Sequence, residues 1–235
     1  ATAFMLSTPL TPEERQASNT EMFAYFSAKV DERIAASGQG ESFIDALLQA
    51  EFEGGKLSRE EIIRFCFTLV VAGSETTTGL FGNLVWLMAT YPDQYQAIRK
   101  NPDLIDGFIE EALRFAGPPQ RLFRIATEDT EVGGKAIKKG DWVAIFFASA
   151  NHDPAAWDKP EEFRPGREGA RTHASFGQGI HSCLGSMLVR LEARCAVEAI
   201  CELFSNVRPG KAPFVRQTAT QLSYALDDCP VIFER

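Results

Sequence analysis

The sequence predicts a mainly α-helical domain carrying a small β-sheet. Apolar residues recur at intervals of three and four along most of the chain, and β-type runs are confined to residues 121–147 and the carboxyl end. Hydrophobic residues make up 45% of the 235, enough for a substantial core, and no internal repeat or low-complexity linker divides the chain, so one domain over 1–235 is the economical expectation.

The elements follow in order. Thr11 to Ser37 carries Met22, Phe26 and Val30 at a spacing of four, an amphipathic helix ended by Gly38-Gln39-Gly40. A short helix is expected over Phe43 to Glu51. Ser58 and Glu61 stand three apart ahead of an apolar run, the pattern of a capping box. Nothing stops that helix before Tyr91-Pro92, so it should be unusually long and buried around much of its girth. Asp93 to Lys100 and Asp103 to Phe115 read as two further helices, each entered through a proline-containing turn. From Arg121 to Phe147 the runs Leu122-Phe123-Arg124-Ile125 and Val143 to Phe147, punctuated by Gly133-Gly134 and Lys139-Gly140, predict a small sheet. Asn151 to Ala174 should be an irregular meander. Leu184, Leu188, Leu191, Cys195, Ala199 and Leu203 then step by three or four, predicting a helix with a single core stripe. Short strands are expected around Gln221 to Phe233.

Composition excludes several classes. Net charge is −8, so no global basic field favours nucleic acid. Five cysteines, Cys66, Cys183, Cys195, Cys201 and Cys229, form no Cys-x-x-Cys pair and are odd in number, which favours a reducing, cytoplasmic setting. Ile62 to Gly73 is broken by Arg64 and Thr68 and falls short of a membrane span, and Ala1 to Leu10 lacks a signal-peptide pattern, so no membrane anchor is seen. The first residue is not methionine and the chain begins as if in mid-domain, from which an absent amino-terminal portion is expected.

The strongest chemical pattern is Phe176-Gly177-Gln178-Gly179-Ile180-His181-Ser182-Cys183-Leu184-Gly185. Its glycines permit a tight loop whose amides can turn toward the sulfur, and a helix beginning after Cys183 adds its positive end; both favour thiolate. A thiolate on haem iron promotes O–O cleavage. A lone cysteine after two glycines reads instead as a small buried hydrophobe; the full ten-residue pattern favours haem ligation. A second pattern, Ala72-Gly73-Ser74-Glu75-Thr76-Thr77, interrupts the long apolar helix. An acid and several hydroxyls there are costly unless partnered or used. Either the threonines bond back to helix carbonyls and Glu75 meets a cation, or Glu75 and Thr76 relay protons while Ala72 and Gly73 leave room beside an iron.

These segments together resemble the cytochrome P-450 family, over essentially the whole chain but starting well inside the family fold. The resemblance implies the cytochrome P-450 fold without its amino-terminal helices, haem b (iron protoporphyrin IX), and O2 as co-substrate. It implies Cys183 as proximal axial ligand within a loop including Phe176, Gly177 and Gly179, His181 and Arg124 on haem propionates, and Glu75 and Thr76 in oxygen activation. Glu111, Arg114 and Arg167 become a structural lock on the meander, although the family often has aspartate where Arg164 stands. Thr68, Val71, Leu122, Phe123, Leu222 and Ser223 fall where the family's pocket walls lie, and would suit a small apolar substrate. Arg190 either faces an acidic electron-transfer protein or is a solvated helix charge. His152 and His173 read as ordinary polar loop residues. The implied activity is a monooxygenase that hydroxylates or epoxidises with electrons from a ferredoxin and its reductase or a similar donor. A peroxide-driven haem-thiolate enzyme and an inactive haem-binding fragment are the competing expectations.

Overall fold

The Thr11 hydroxyl accepts the Glu14 amide at 3.2 Å while the Glu14 carboxylate accepts the Thr11 amide at 2.8 Å. This reciprocal cap starts helix α1 (Pro12–Ala35) in the computed structural model, which describes residues 11–52, 54–217 and 223–235. Ser37 and Gly38 end it in left-handed conformations, φ +65° and +62°. A second capping box, Ser42 with Asp45, starts α2 (Phe43–Gln49), and the buried Asp45 carboxylate holds Arg33 at 2.8 Å, tying the two helices together. Strands β1 (Glu51–Phe52) and β2 (Gly55–Lys56) form a small hairpin. A third box, Ser58 with Glu61, then opens α3 (Arg59–Thr90).

Two units divide the chain, residues 1–75 and 76–235, with the boundary inside α3. In the first, Val30, Leu47, Ile62, Ile63 and Cys66 form a small apolar cluster. There α3 is far from buried all round: Phe65 and Val70 stay exposed, and only its later half, from Gly79 on, carries the expected dense burial at Leu80, Leu84, Leu87 and Met88.

The core of the second unit gathers that half of α3 with α4 (Pro92–Lys100), α5 (Ile105–Ala116) and α7 (Ser186–Leu203). Each fully buried leucine contributes about 2 kcal/mol. Asn83 is fully buried and donates to the carbonyls of Ala116 and Tyr224 at 2.7 and 2.6 Å, pinning the end of α5. Gly117 follows α5, and a Cβ there would stand 2.4 Å from the Leu113 carbonyl oxygen.

The strands pair off in twos among the described residues, where a single small sheet was expected. Antiparallel β3 (Arg121–Ile125) and β6 (Trp142–Phe146) pair Arg124 with Val143; β4 (Thr130–Val132) and β5 (Lys135–Ile137) turn on Gly133 and Gly134, at φ +56° and +75°. Beyond them come a short helix α6 (Phe147–Asn151) and the irregular meander. At the carboxyl end β7 (Asn206–Pro209) pairs with β10 (Val231–Glu234), and β8 (Val215–Arg216) with β9 (Leu226–Asp228).

Helix α7 overturns one expectation. Its buried residues are Ala193 and Val197, whereas Leu184 just before it and Leu188, Leu191 and Leu203 along it are 78%, 60%, 59% and 61% exposed. Apolar residues lie on two faces of this helix. The small pair packs into the core, and the leucine stripe points outward.

Candidate functional site

Cys183 ends a loop built on two left-handed glycines. A 3-10 turn over Ala174–Phe176 leads to Gly177 (φ +64°) and Gly179 (φ +72°), and a second turn spans Gly179–His181. A residue with a Cβ is strained at either glycine. The Cys183 amide donates to the Phe176 carbonyl at 2.8 Å, closing the loop, and the thiol is exposed. That amide turns back to Phe176 and not toward the sulfur, and α7 begins only at Ser186, after Gly185. A Cβ at Gly185 would stand 4.0 Å from Sγ, in ordinary van der Waals contact. His181, two residues earlier in the chain, is exposed.

Helix α5 supports this loop and the meander through two successive buried glutamates. Glu111 accepts Arg114 Nε and Nη2, both at 2.8 Å, the Arg164 amide at 2.9 Å and Arg167 Nε at 3.2 Å. Arg114 also donates to the carbonyls of Asn151, Pro160 and Glu162 at 2.8, 3.0 and 3.2 Å. Glu111, Arg114 and Arg167 are thus brought together, and they fasten the meander. Arg164 uses its backbone on Glu111 and points its side chain at exposed Asp158, so this geometry leaves its identity open.

Glu110 is 4% exposed and accepts Arg190 Nε at 2.6 Å, Arg190 Nη2 at 3.1 Å and His173 Nε2 at 3.2 Å. His173 is therefore a buried member of a charge network and not an ordinary loop residue. Its Nδ1 accepts the Ser175 amide at 3.2 Å, which puts the ring proton on Nε2, facing the carboxylate. Arg190 is neither a free docking charge nor a solvated one. Sequence spacing held a clue: Glu110 lies between Ile109 and Leu113 on a helix with apolar residues on most sides. Burial pushes the Glu110 carboxyl up, but hydrogen bonds from His173 and Arg190 and the charge of Arg190 outweigh it and hold the carboxyl down to about 2. With the folded value depressed, its stabilisation is full above the ordinary value of 4.5 and is lost as pH falls toward 2. Urea unfolding across that window should show wild type losing roughly 2–3 kcal/mol more than Glu110→Gln. Equal losses would contradict this.

Arg124 lies on β3, half-buried; its Nη1 donates to the Phe123 carbonyl at 2.9 Å, and among the described residues no carboxylate pairs with it. Leu122 shares its strand face, while Phe123 is on the opposite one, against Trp142 at 6.0 Å. The two cannot line the same side of a pocket. Ser223 bridges to Pro119 and its Oγ is buried without a hydrogen-bond partner. Leu222 lies outside the described residues.

Within α3, the Thr68 hydroxyl bonds back to the Arg64 carbonyl at 2.8 Å, and Val71 is half-buried. Ala72 and Gly73 are exposed, and a Cβ added at Gly73 would meet nothing within 4 Å. Glu75 Oε1 is buried with no hydrogen-bond partner, and no cation among the described residues pairs with Glu75. Thr76 follows it, half-buried.

A family model described as Cytochrome P450 matches residues 4–218. The chain belongs to the cytochrome P450 family. It is 45% identical over 163 residues to Cytochrome P450 109 of Bacillus spizizenii, covering 69% of this chain and 40% of that protein. It is 37% identical over 209 residues to the Cytochrome P450 monooxygenase PikC of Streptomyces venezuelae, covering 86% and 50%. The crystal structure of CYP109E1 from Bacillus megaterium in complex with corticosterone superposes with a TM-score of 0.90 at 29% identity, over 100% of this chain and 64% of that one. The chain spans about half the length of the curated relatives it matches.

The residues present fit the P450 haem. Cys183 offers a single exposed soft sulfur donor, Arg124 a cation without a carboxylate partner among the described residues, and Ile180 and Leu184 apolar surface beside the sulfur. No helix among the described residues is long and apolar enough to cross a membrane.

Proposed function

We propose that this P450 chain is the catalytic part of a haem-thiolate monooxygenase. It would combine substrate, O2, two electrons and two protons into a hydroxylated or epoxidised product and water. The observation that carries this is the exposed Cys183 thiol at the end of a loop shaped by two positive-φ glycines. Haem b, when bound, supplies the O–O cleavage and oxygen-transfer chemistry.

The chain's own residues do the rest. Cys183 donates its thiolate, and Phe176, Gly177 and Gly179 shape the loop that presents it. Arg124 and His181 hold propionates, while Ala72 and Gly73 leave room on α3. The unpartnered Glu75 oxygen supports the proton-carrying role over the structural alternative, with Thr76 as the neighbouring hydroxyl. Thr68, Val71, Leu122, Phe123, Leu222 and Ser223 are candidate pocket walls; of the strand pair, Leu122 shares the Arg124 face and is the stronger one. Corticosterone and testosterone in the structures of a similar P450 support an apolar substrate. The electron donor is a ferredoxin with its reductase or a similar protein, in a cytoplasmic setting that keeps the five cysteines reduced.

Thr76→Val tests the proton role. Product formed per electron consumed should fall by roughly a hundredfold, with the electrons diverted to peroxide. An unchanged ratio would remove Thr76 from the mechanism. Turnover with peroxide but none with a ferredoxin system would replace the monooxygenase by a peroxide-driven enzyme.

A further inference from the structure

Two partners of Glu110 lie against the Phe176 ring. The Arg190 guanidinium lies 4.5 Å from the Phe176 ring centroid, and the His173 ring is 5.6 Å from the same ring. Arg190 cannot drift from this position, because the buried Glu110 carboxylate accepts two of its N–H groups and the Ser186 carbonyl accepts a third at 3.2 Å. The preceding backbone is fixed independently of the ring. The Ala174 amide donates to Asn151 Oδ1 at 2.7 Å, and Ser175 Oγ donates to the Leu113 carbonyl at 2.7 Å. Beyond Ser175 the chain enters Gly177 and Gly179, which have no side chains with which to anchor it. The side chains of Gln178, Ile180, His181 and Ser182 that follow are exposed, so among the described residues the partly buried Phe176 ring is the anchor of this stretch, and the Phe176 carbonyl accepts the Cys183 amide at 2.8 Å.

We infer that Arg190, seated by Glu110, is a positioning residue for the cysteine loop: its cation on the Phe176 ring keeps the Phe176 carbonyl on the Cys183 amide and so sets the direction of the sulfur. Its importance for catalysis rests on the proposed ligand role of Cys183; the contact itself does not. α5 then serves two clients from adjacent residues, with Glu111 fastening the meander and Glu110 the sulfur loop.

Hydrogen exchange of the full chain decides the matter without haem. In Arg190→Met the Cys183 amide should exchange about tenfold faster than in wild type while the amides of α5 keep their rates. Arg190→Lys, which retains a cation, should recover part of that protection. Arg194→Met removes a cation from the same helix that pairs with Asp106 and Glu198, and should leave the Cys183 amide as it was. In the haem-loaded chain, Arg190→Met should also enlarge the share of the reduced carbon monoxide complex that lacks the thiolate Soret band, and Arg194→Met should not. Cys183 exchange within about twofold of wild type in Arg190→Met, or α5 amides accelerating equally, overturns the inference. A wild-type chain without a thiolate Soret band refutes the proposed function instead, and the exchange comparison still decides the role of Arg190.

Discussion

Cys183→Ala lowers substrate oxidation by at least about a thousandfold, about 4 kcal/mol in barrier, while the melting temperature stays within roughly 2 °C of wild type. The two halves of this expectation have separate causes. The Cys183 side chain is exposed, so little stability depends on it. No other cysteine is equipped to replace it: burial raises the Cys66 and Cys229 thiols and pushes Cys201 up to about 11, which keeps them protonated, and Cys195 stands on α7 away from the glycine loop. Product formation and thermal unfolding, measured on the same preparation, check both halves. Retained turnover in Cys183→Ala, or a variant that fails to fold, would contradict the expectation.

Arg114→Met destabilises the chain by about 3–5 kcal/mol, read from urea unfolding. The substitution keeps much of the side-chain volume but leaves the fully buried Glu111 carboxylate short of its closest cation and the carbonyls of Asn151 and Pro160 without their donor, while the Glu162 carbonyl keeps Arg167 Nη2. Arg114→Lys should recover little, because an ammonium cannot grip a carboxylate in two places while reaching carbonyls from residues 151, 160 and 162. A loss below about 1 kcal/mol would show that the meander is held by other means.

Local chemistry was the most legible part of the sequence. Capping boxes at Ser58 and glycine stops at Gly38 place helix ends within a few residues, because each works through neighbours in the chain. The sulfur loop and the Glu111 to Arg114 pair were visible for the same reason, since their spacing is their geometry. What failed depends on distant partners. The leucines of α7 and the small residues Ala193 and Val197 offer two equally periodic faces, and only the packing of α5 and α4 chooses between them. Likewise Glu110, His173 and Arg190 are far apart in sequence, and no spacing links the three to one another. Their joint burial becomes visible only in three dimensions. The strands near the carboxyl end were anticipated around Gln221 to Phe233, but their partners β7 and β8 were not, because strands this short carry little alternation.

The most direct test of Cys183 as haem ligand is the spectrum of the haem-loaded chain after reduction and exposure to carbon monoxide. A thiolate ligand gives the Soret band at the wavelength that names the P450 family, and Cys183→Ala abolishes it. A band at the shorter wavelength of nitrogen-ligated haem in wild type, or one that survives Cys183→Ala, would contradict that assignment.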